Sequence, residues 1–368
     1  MIKVHYPADI KKLRKEYLKI FDITTMKSQW ASEEQRTGFK LEDLLTGDFD
    51  YLVDVFLWYK GQTITEGQNQ IHKNIFNYED KQPEIAEFFM NSNNGFNLST
   101  CHYCNIAYIN NYSKSLSYTD KLDFINKASF QEWREFFKPR SLDDQKLIDV
   151  MNGRPYKSLD VFNRKRFLRK NIESYKNFSL NRSYNHFDLD HLLPKSICPI
   201  ISLSLFNFVP SCPVCNEKLK KAKELAITKD DWLKISPTYD GSQFDDDVTI
   251  RLVPLDKCST FFELKQNNDN YKLVFDTKGD WNYDGYISTF KLNDRYNFHK
   301  KIALHILDLK ERYPEEKRKE ISRLLSANEN EHNQHKYSEK QIEADILQEE
   351  LHQDRCFSKL RRDMINKN

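Results

Sequence analysis

The stretch Phe187-Asp188-Leu189-Asp190-His191-Leu192-Leu193-Pro194-Lys195 runs on through Asn207 to Ser211-Cys212-Pro213-Val214-Cys215-Asn216-Glu217-Lys218. It puts an Asp-His pair, an Asn and a Cys-x-x-Cys-Asn cluster close together in the chain. Hydrolysis of a phosphodiester needs a base to take a proton from the attacking water, and a cation to neutralise charge on the phosphate and the departing oxygen. Histidine is the base suited to neutral pH, and an oxygen-ligated Mg2+ or Mn2+ is the matching cation. His191 is therefore the candidate base and Asp190 a hard anionic ligand for the catalytic ion. Asn207 follows an apolar segment, and its amide both donates and accepts, so it can pin the loop between them by backbone hydrogen bonds. Asn216 would open the helix that closes the site and offer its carbonyl oxygen to the same ion. Each feature alone is ordinary, since an Asp-His dipeptide is usually a surface turn and an Asn after an apolar run usually forms one. Their grouping beside a metal-type cysteine pair is what carries the inference.

The chain has seven cysteines, and four of them fall into Cys101-x-x-Cys104 and Cys212-x-x-Cys215. Two thiolates three residues apart on a tight turn can face one tetrahedral ion, so these four predict a closed, structural zinc site. The long separation between the pairs implies a segment inserted within the loop they close. Cys198, Cys258 and Cys356 have no partner at metal spacing and read as small buried or incidental thiols. His102 lies between the first two cysteines, as a loop residue or as a ligand.

The motif Asp190-His191-x-x-Pro194-Lys195, followed by Asn207-x-x-Pro210-x-Cys212-x-x-Cys215-Asn216, resembles the HNH endonucleases, whose core is two strands and a helix around one metal (ββα-metal). It is most similar to a zinc-knuckle subgroup found in prokaryotic anti-phage defence systems, including the Septu-type nuclease that works with an ABC/SMC-like ATPase. The resemblance covers roughly residues 98–112 and 184–225. It implies that Asp190 holds the metal, His191 is the general base, Asn207 is the orienting middle residue and Asn216 fills the last position, where the family name has His. It also implies 5′-phosphate and 3′-hydroxyl ends. DNA is the default substrate, and structured RNA such as tRNA stays open because this chemistry makes no use of a 2′-hydroxyl. No glycine-rich phosphate loop is present, so any ATP is hydrolysed by another protein, an ABC/SMC-like ATPase or other defence-system sensor.

The whole sequence sets the frame. At 368 residues, 39% hydrophobic and 13% aromatic, the chain is long and apolar enough for a substantial core. A net charge of +2 means that any basic surface for nucleic acid must be local. Residues 1–7 lack the apolar core of an export signal, and the longest apolar stretch, 197–210, is too short to cross a bilayer. The expectation is a cytoplasmic protein with no membrane partner.

The predicted fold class is α+β: a ββα-metal core stapled by a four-cysteine zinc site, with a helical N-terminal region, a helical insertion and a helical C-terminal tail. The regions are 1–82, helical by the spacing of Leu13, Tyr17, Leu52 and Phe56; 83–225, the zinc-stapled core, with 113–185 as a basic helical insertion; 226–310, a β-rich extension and supporting helix; and 311–368, a charged helical tail. Within the core, strands are expected at 184–191 and 200–209, and a helix begins at Pro83. A long helix is expected at 290–309, carrying Arg295, Tyr296 and His299 in a supporting role. His5 and His72 read as surface or packing residues. Asp245-Asp246-Asp247 reads as a solvated turn. The second half of the insertion carries Arg164, Arg166 and Arg169 interleaved with aromatics, which suits either contact with a phosphate backbone or a solvated helix whose aromatics face the core. Lys195, Lys218, Lys220 and Lys221 are candidate phosphate contacts or solvated lysines. The rival reading is a zinc-stapled nucleic-acid- or protein-binding module with a silent catalytic site, and a third is a defence effector silent until a partner releases it.

Overall fold

A computed structural model of the chain describes residues 2–96, 98–115, 118, 119, 123, 124, 127–129, 132, 181–255, 260–278, 283–327, 345, 347 and 355–366. It divides into two compact units, Met1–Asn110 with His186–Asn368, and Asn111–Asn185. The described secondary structure is mixed, with many helices and three two-stranded antiparallel sheets, an α+β arrangement. Among the described residues no helix is long and apolar enough to cross a membrane. In the unit Asn111–Asn185 the described strands are β1 (Asn111–Ser115) and β2 (Asn181–Asn185), paired antiparallel with Asn111 opposite Asn185. Arg164, Arg166, Arg169, most of the expected helical insertion, and Cys258 lie outside the described residues.

In the larger unit the first six helices are α1 (Ile10–Leu18), α2 (Ile23–Thr37), α3 (Leu41–Thr46), α4 (Phe49–Lys60), α5 (Glu66–Ile75) and α6 (Tyr78–Met90). Local chemistry sets their ends. Asp9 and Asp22 accept the orphan amides of Lys12 and Thr25 at the starts of α1 and α2. Thr65 and Gln68 cap each other reciprocally at the start of α5. Gly38 closes α2 at φ +76°, a conformation that costs a side-chain-bearing residue energy. Helix α6 begins at Tyr78, five residues ahead of the predicted start. Pro83 sits inside it and forfeits one backbone bond, while Tyr78, Ile85, Phe88 and Phe89 bury the face that holds the helix in place. That early start matters, because Tyr78 packs against His191.

Strands β3 (Asp188–His191) and β4 (Phe208–Ser211) form the central hairpin, with Asp190 opposite Val209 and His191 opposite Phe208. The predicted first strand is broken at residues 186 and 187, so His186 lies before β3 and is exposed. The predicted second strand, 200–209, is mostly not a strand. Pro199–Ile201 and Leu205–Asn207 are single 3-10 turns, and extended structure begins only at Phe208. Remote partners explain the turns. Ser202 Oγ donates to Phe76 O at 2.6 Å, Ser204 Oγ donates to Leu44 O, and Tyr17 Oη donates to Leu203 O at 2.9 Å. The loop is thus fastened into the helical layer by polar bonds that an apolar sequence pattern does not reveal.

The rest of this unit supports the hairpin. Strands β5 (Val248–Pro254) and β6 (Tyr271–Thr277) pair along their full length. The expected helix over 290–309 is instead two helices, Leu292–Phe298 and Lys301–Arg312, broken at His299 and preceded by Asp284–Thr289. Lys291, at φ +51°, turns the chain between the first two of these three helices. The helix Ser358–Asn366 docks on β5 through Asp363, which accepts from Ile250 N at 2.8 Å. Asp245 and Asp247 are tertiary anchors and not a solvated turn: Asp245 pairs with Arg362 at 2.7 Å, and Asp247 accepts from Tyr283 Oη at 2.7 Å. One continuous apolar core joins the N-terminal helices, the cysteine turns, the β3–β4 hairpin and the C-terminal helix.

Candidate metal centre and active site

Cys101, Cys104, Cys212 and Cys215 are all buried, and their sulfurs lie within 4.8 Å of one another. Four thiolates about 2.3 Å from one zinc ion stand roughly 3.8 Å apart in a tetrahedron, so the cluster fits a structural zinc ion. Each pair is shaped by its own turn. Asn105 N donates to Cys101 O at 2.8 Å, and Ile106 N donates to Cys104 Sγ at 3.4 Å, with Asn105 in the left-handed region at φ +52°. Asn216 N donates to Cys212 O at 3.1 Å in the second turn. His102 N donates to Pro210 O at 3.2 Å, which ties the first turn to β4. The His102 side chain is not among the clustered ligands; its Nδ1 meets Ile2 O at 2.9 Å.

Arg295 completes this centre. Its guanidinium donates to Cys215 Sγ at 3.3 Å and to Cys104 Sγ at 3.4 Å. A zinc ion with four thiolates carries a net double negative charge, and a partly buried cation on two of the sulfurs offsets part of it. Tyr296 Oη donates to Cys104 O at 2.8 Å, and Tyr286 Oη donates to Tyr103 O at 2.9 Å. The segment read as supporting thus touches the clustered cysteines directly.

The first turn also reaches the β3–β4 hairpin. Tyr103, between the two cysteines, stacks on Phe290 at 4.6 Å and donates its hydroxyl to Asp190 Oδ2 at 2.5 Å. Burial, then the neighbouring Asp190 charge, pushes the Tyr103 hydroxyl well above its ordinary pKa, so it stays a proton donor. Lys220 Nζ lies 3.0 Å from Asp190 Oδ2 and 2.8 Å from His191 O. Burial raises the Asp190 pKa, and Lys220 and Tyr103 pull it back. Asp188, two residues earlier on the same strand face, is less buried and receives the Asn216 side-chain amide at 3.3 Å. Its pKa is also raised, by burial, with nearby Glu217 adding to the effect.

His191 is 7% exposed and sits edge-on to Tyr78 at 4.5 Å. Its Nε2 lies 2.8 Å from Ser202 O. A carbonyl only accepts, so Nε2 carries the proton and the neutral ring keeps its lone pair on Nδ1. Burial lowers the His191 pKa to about 3, with the Lys195 and Lys220 charges acting in the same direction and the Ser202 bond against them. The ring is therefore neutral throughout the physiological range. Asn207 is fully buried and binds the intervening loop: it accepts from Leu193 N at 2.8 Å and donates to Leu193 O at 3.0 Å and Ile201 O at 3.3 Å.

The structure therefore brings together Asp190, His191, Asn207, Asn216 and the four cysteines around one hairpin. Asn216 meets Asp188, and the partners found on Asp190 are Lys220 and Tyr103. Lys195 pairs with Glu79 at 2.6 Å and lies over the Tyr78 ring at 4.4 Å. Lys218 is exposed. The residues that sequence reading passed over are Tyr78, Tyr103 and the structural roles of Lys220 and Arg295. One signal was present: Asn216 and Lys220 are four apart, on one face of the helical segment Val214–Lys220. Comparison with known protein families, curated proteins and solved structures finds no match to this chain.

Proposed function

We propose that this chain is a metal-dependent endonuclease of the HNH (ββα-metal) type, with DNA the first substrate to test and tRNA the second. One observation carries the reading: the Nε2–H of His191 is fixed on Ser202 O, which leaves the ring's lone pair on Nδ1, on a strand tied to a four-cysteine centre. Nδ1 accepts the proton of the attacking water, while the Ser202 carbonyl keeps the ring oriented. Asn207 fixes the loop that carries this carbonyl's neighbours. Asp188, Asp190 and Asn216 offer hard oxygen donors suited to Mg2+ or Mn2+, the Asn216 amide by turning over so that its oxygen faces inward. Such an ion, when bound, neutralises charge on the phosphate and the leaving 3′ oxygen. Lys195 and Lys218 supply phosphate contacts at the rim.

A role as the nuclease effector of an anti-phage system, released by an ABC/SMC-like ATPase or another sensor in the cytoplasm, rests on the sequence resemblance. The rival is a catalytically silent zinc-stapled binding module, and the lysine on Asp190 favours it. Cleavage of plasmid DNA and total tRNA by the purified, zinc-loaded protein separates the two. The expected result is cutting that needs Mg2+ or Mn2+, stops with EDTA, and resumes when the ion is restored to protein that has kept its zinc. Intact plasmid and tRNA under all these conditions would favour the silent module.

A further inference from the structure

We infer that Lys220 holds the divalent-cation position on Asp190 in the resting protein, so that an ion reaches this carboxylate only by displacing the ammonium. This inference rests on the nuclease reading above. The Lys220 side chain is 1% exposed, and the Asp190 side chain 6%. Lysine is almost never this buried without a paired charge, and among the described residues Asp190 is the only carboxylate that pairs with it. The ammonium spans both carboxylate oxygens, at 3.0 Å and 3.3 Å, and makes a further bond to His191 O at 2.8 Å. Tyr103 adds a neutral donor on Oδ2. The other carboxylate of this strand face, Asp188, has only the neutral Asn216 amide on its side chain among the described residues. Of two carboxylates on one strand, the structure neutralises the one that the motif assigns to the metal.

An ammonium and a hard divalent ion compete for the same anionic oxygens. Lysine is suited to yielding that place, because its charge rides on a flexible four-carbon stem. The phosphate of a bound nucleic acid offers the displaced ammonium a new anion. Ion and substrate then favour each other's binding, since each relieves the cost of moving Lys220. Lys220 is on this account a positioning residue that couples metal loading to substrate.

Mn2+ binding followed by electron paramagnetic resonance tests this without reference to activity. Lys220→Gln and Lys220→Met, checked for zinc content and circular dichroism, are expected to bind Mn2+ about tenfold more tightly than the wild type, because a competing charge is removed. Adding Asp190→Asn to Lys220→Gln is expected to abolish the gain. Unchanged or weaker affinity in the folded variants overturns the inference. Labelling of wild-type lysines with an amine-acylating reagent needs no variant: Lys220 is expected to be protected in metal-free buffer and to become reactive at saturating Mg2+ alone, with no nucleic acid present to pair with the displaced ammonium. Protection that persists under those conditions overturns the inference as well. Cleavage that depends on His191 alongside unchanged Mn2+ affinity would sink the lysine inference alone. A gain in Mn2+ affinity without any cleavage would leave the lysine placement standing and sink the nuclease reading.

Discussion

The helical layer and the β3–β4 hairpin each bury a histidine, and they use it differently. His72, on α5, is engaged at both nitrogens: Nδ1 with Tyr59 Oη at 3.0 Å and Nε2 with Glu33 at 3.2 Å. Among the described residues, His191 is engaged at Nε2 alone. Burial lowers the pKa of both rings, so perturbed titration does not tell them apart. What differs is the spare lone pair and the company. His72 packs on Trp30 among helices, whereas His191 adjoins a carboxylate whose other contacts come from residues flanking the cysteine turns. A buried histidine becomes a candidate base when its neighbours fix one nitrogen and leave the other available.

The comparison can be broken most forcefully at the metal. If the hairpin owes its geometry to the four-cysteine centre, Cys104→Ser removes a contribution on the order of 10 kcal/mol shared across the site, and the larger unit should lose its cooperative melting transition together with bound zinc. Retention of a sharp transition in zinc-free protein would mean that the helical layer orders the hairpin by itself.

A smaller effect is expected at Asn207. Replacing it with Ala leaves Leu193 N and O without these buried partners and should cost roughly 2 kcal/mol, read as a lower denaturation midpoint at unchanged zinc content. His72→Phe should cost a comparable amount, about 2 kcal/mol, because the buried Tyr59 hydroxyl and Glu33 lose their shared partner. A destabilised Asn207→Ala beside an unaffected His72→Phe would show that only the hairpin is held by specific polar bonds.

The pH dependence sharpens the contrast further. His191 has a folded-state pKa near 3 against an ordinary 6.5, so between those values the unfolded chain takes up a proton that the folded chain refuses. Stability attributable to this group is therefore full above about pH 6.5 and declines as the pH falls toward 3. His72 acts in the same direction, with Glu33 partly opposing it. His191→Gln is thus expected to flatten the loss of melting temperature between pH 7 and pH 4, and to do so more than His72→Gln. Equal slopes in wild type and His191→Gln would contradict the burial-driven shift.

These particulars also show how far the chain can be read from its sequence. The cysteine cluster was legible because each pair is local, and a tight turn is all that chelation asks of the backbone. The backbone bonds of Asn207 follow from amide chemistry and short range. The segment 200–209 was not legible, because its apolar run reads as a strand until Ser202, Ser204 and Leu203 are seen bonding to Phe76, Leu44 and Tyr17, far away in sequence. Lys220 read as a phosphate-contacting or solvated lysine, and only the folded hairpin shows it buried on Asp190. Arg295 lies 80 residues beyond Cys215 and 191 beyond Cys104, so its place on the sulfurs is purely tertiary.

The most direct test compares the two histidines in one assay. Purified wild type, His191→Ala and His72→Ala, each confirmed to be folded and zinc-loaded, are incubated with plasmid DNA and with tRNA in the presence of Mg2+ or Mn2+. Loss of a general base is worth roughly 10²- to 10⁴-fold, so His191→Ala should drop in rate by that factor while His72→Ala cleaves at the wild-type rate per folded molecule. Wild-type cleavage by His191→Ala would contradict the account at its centre.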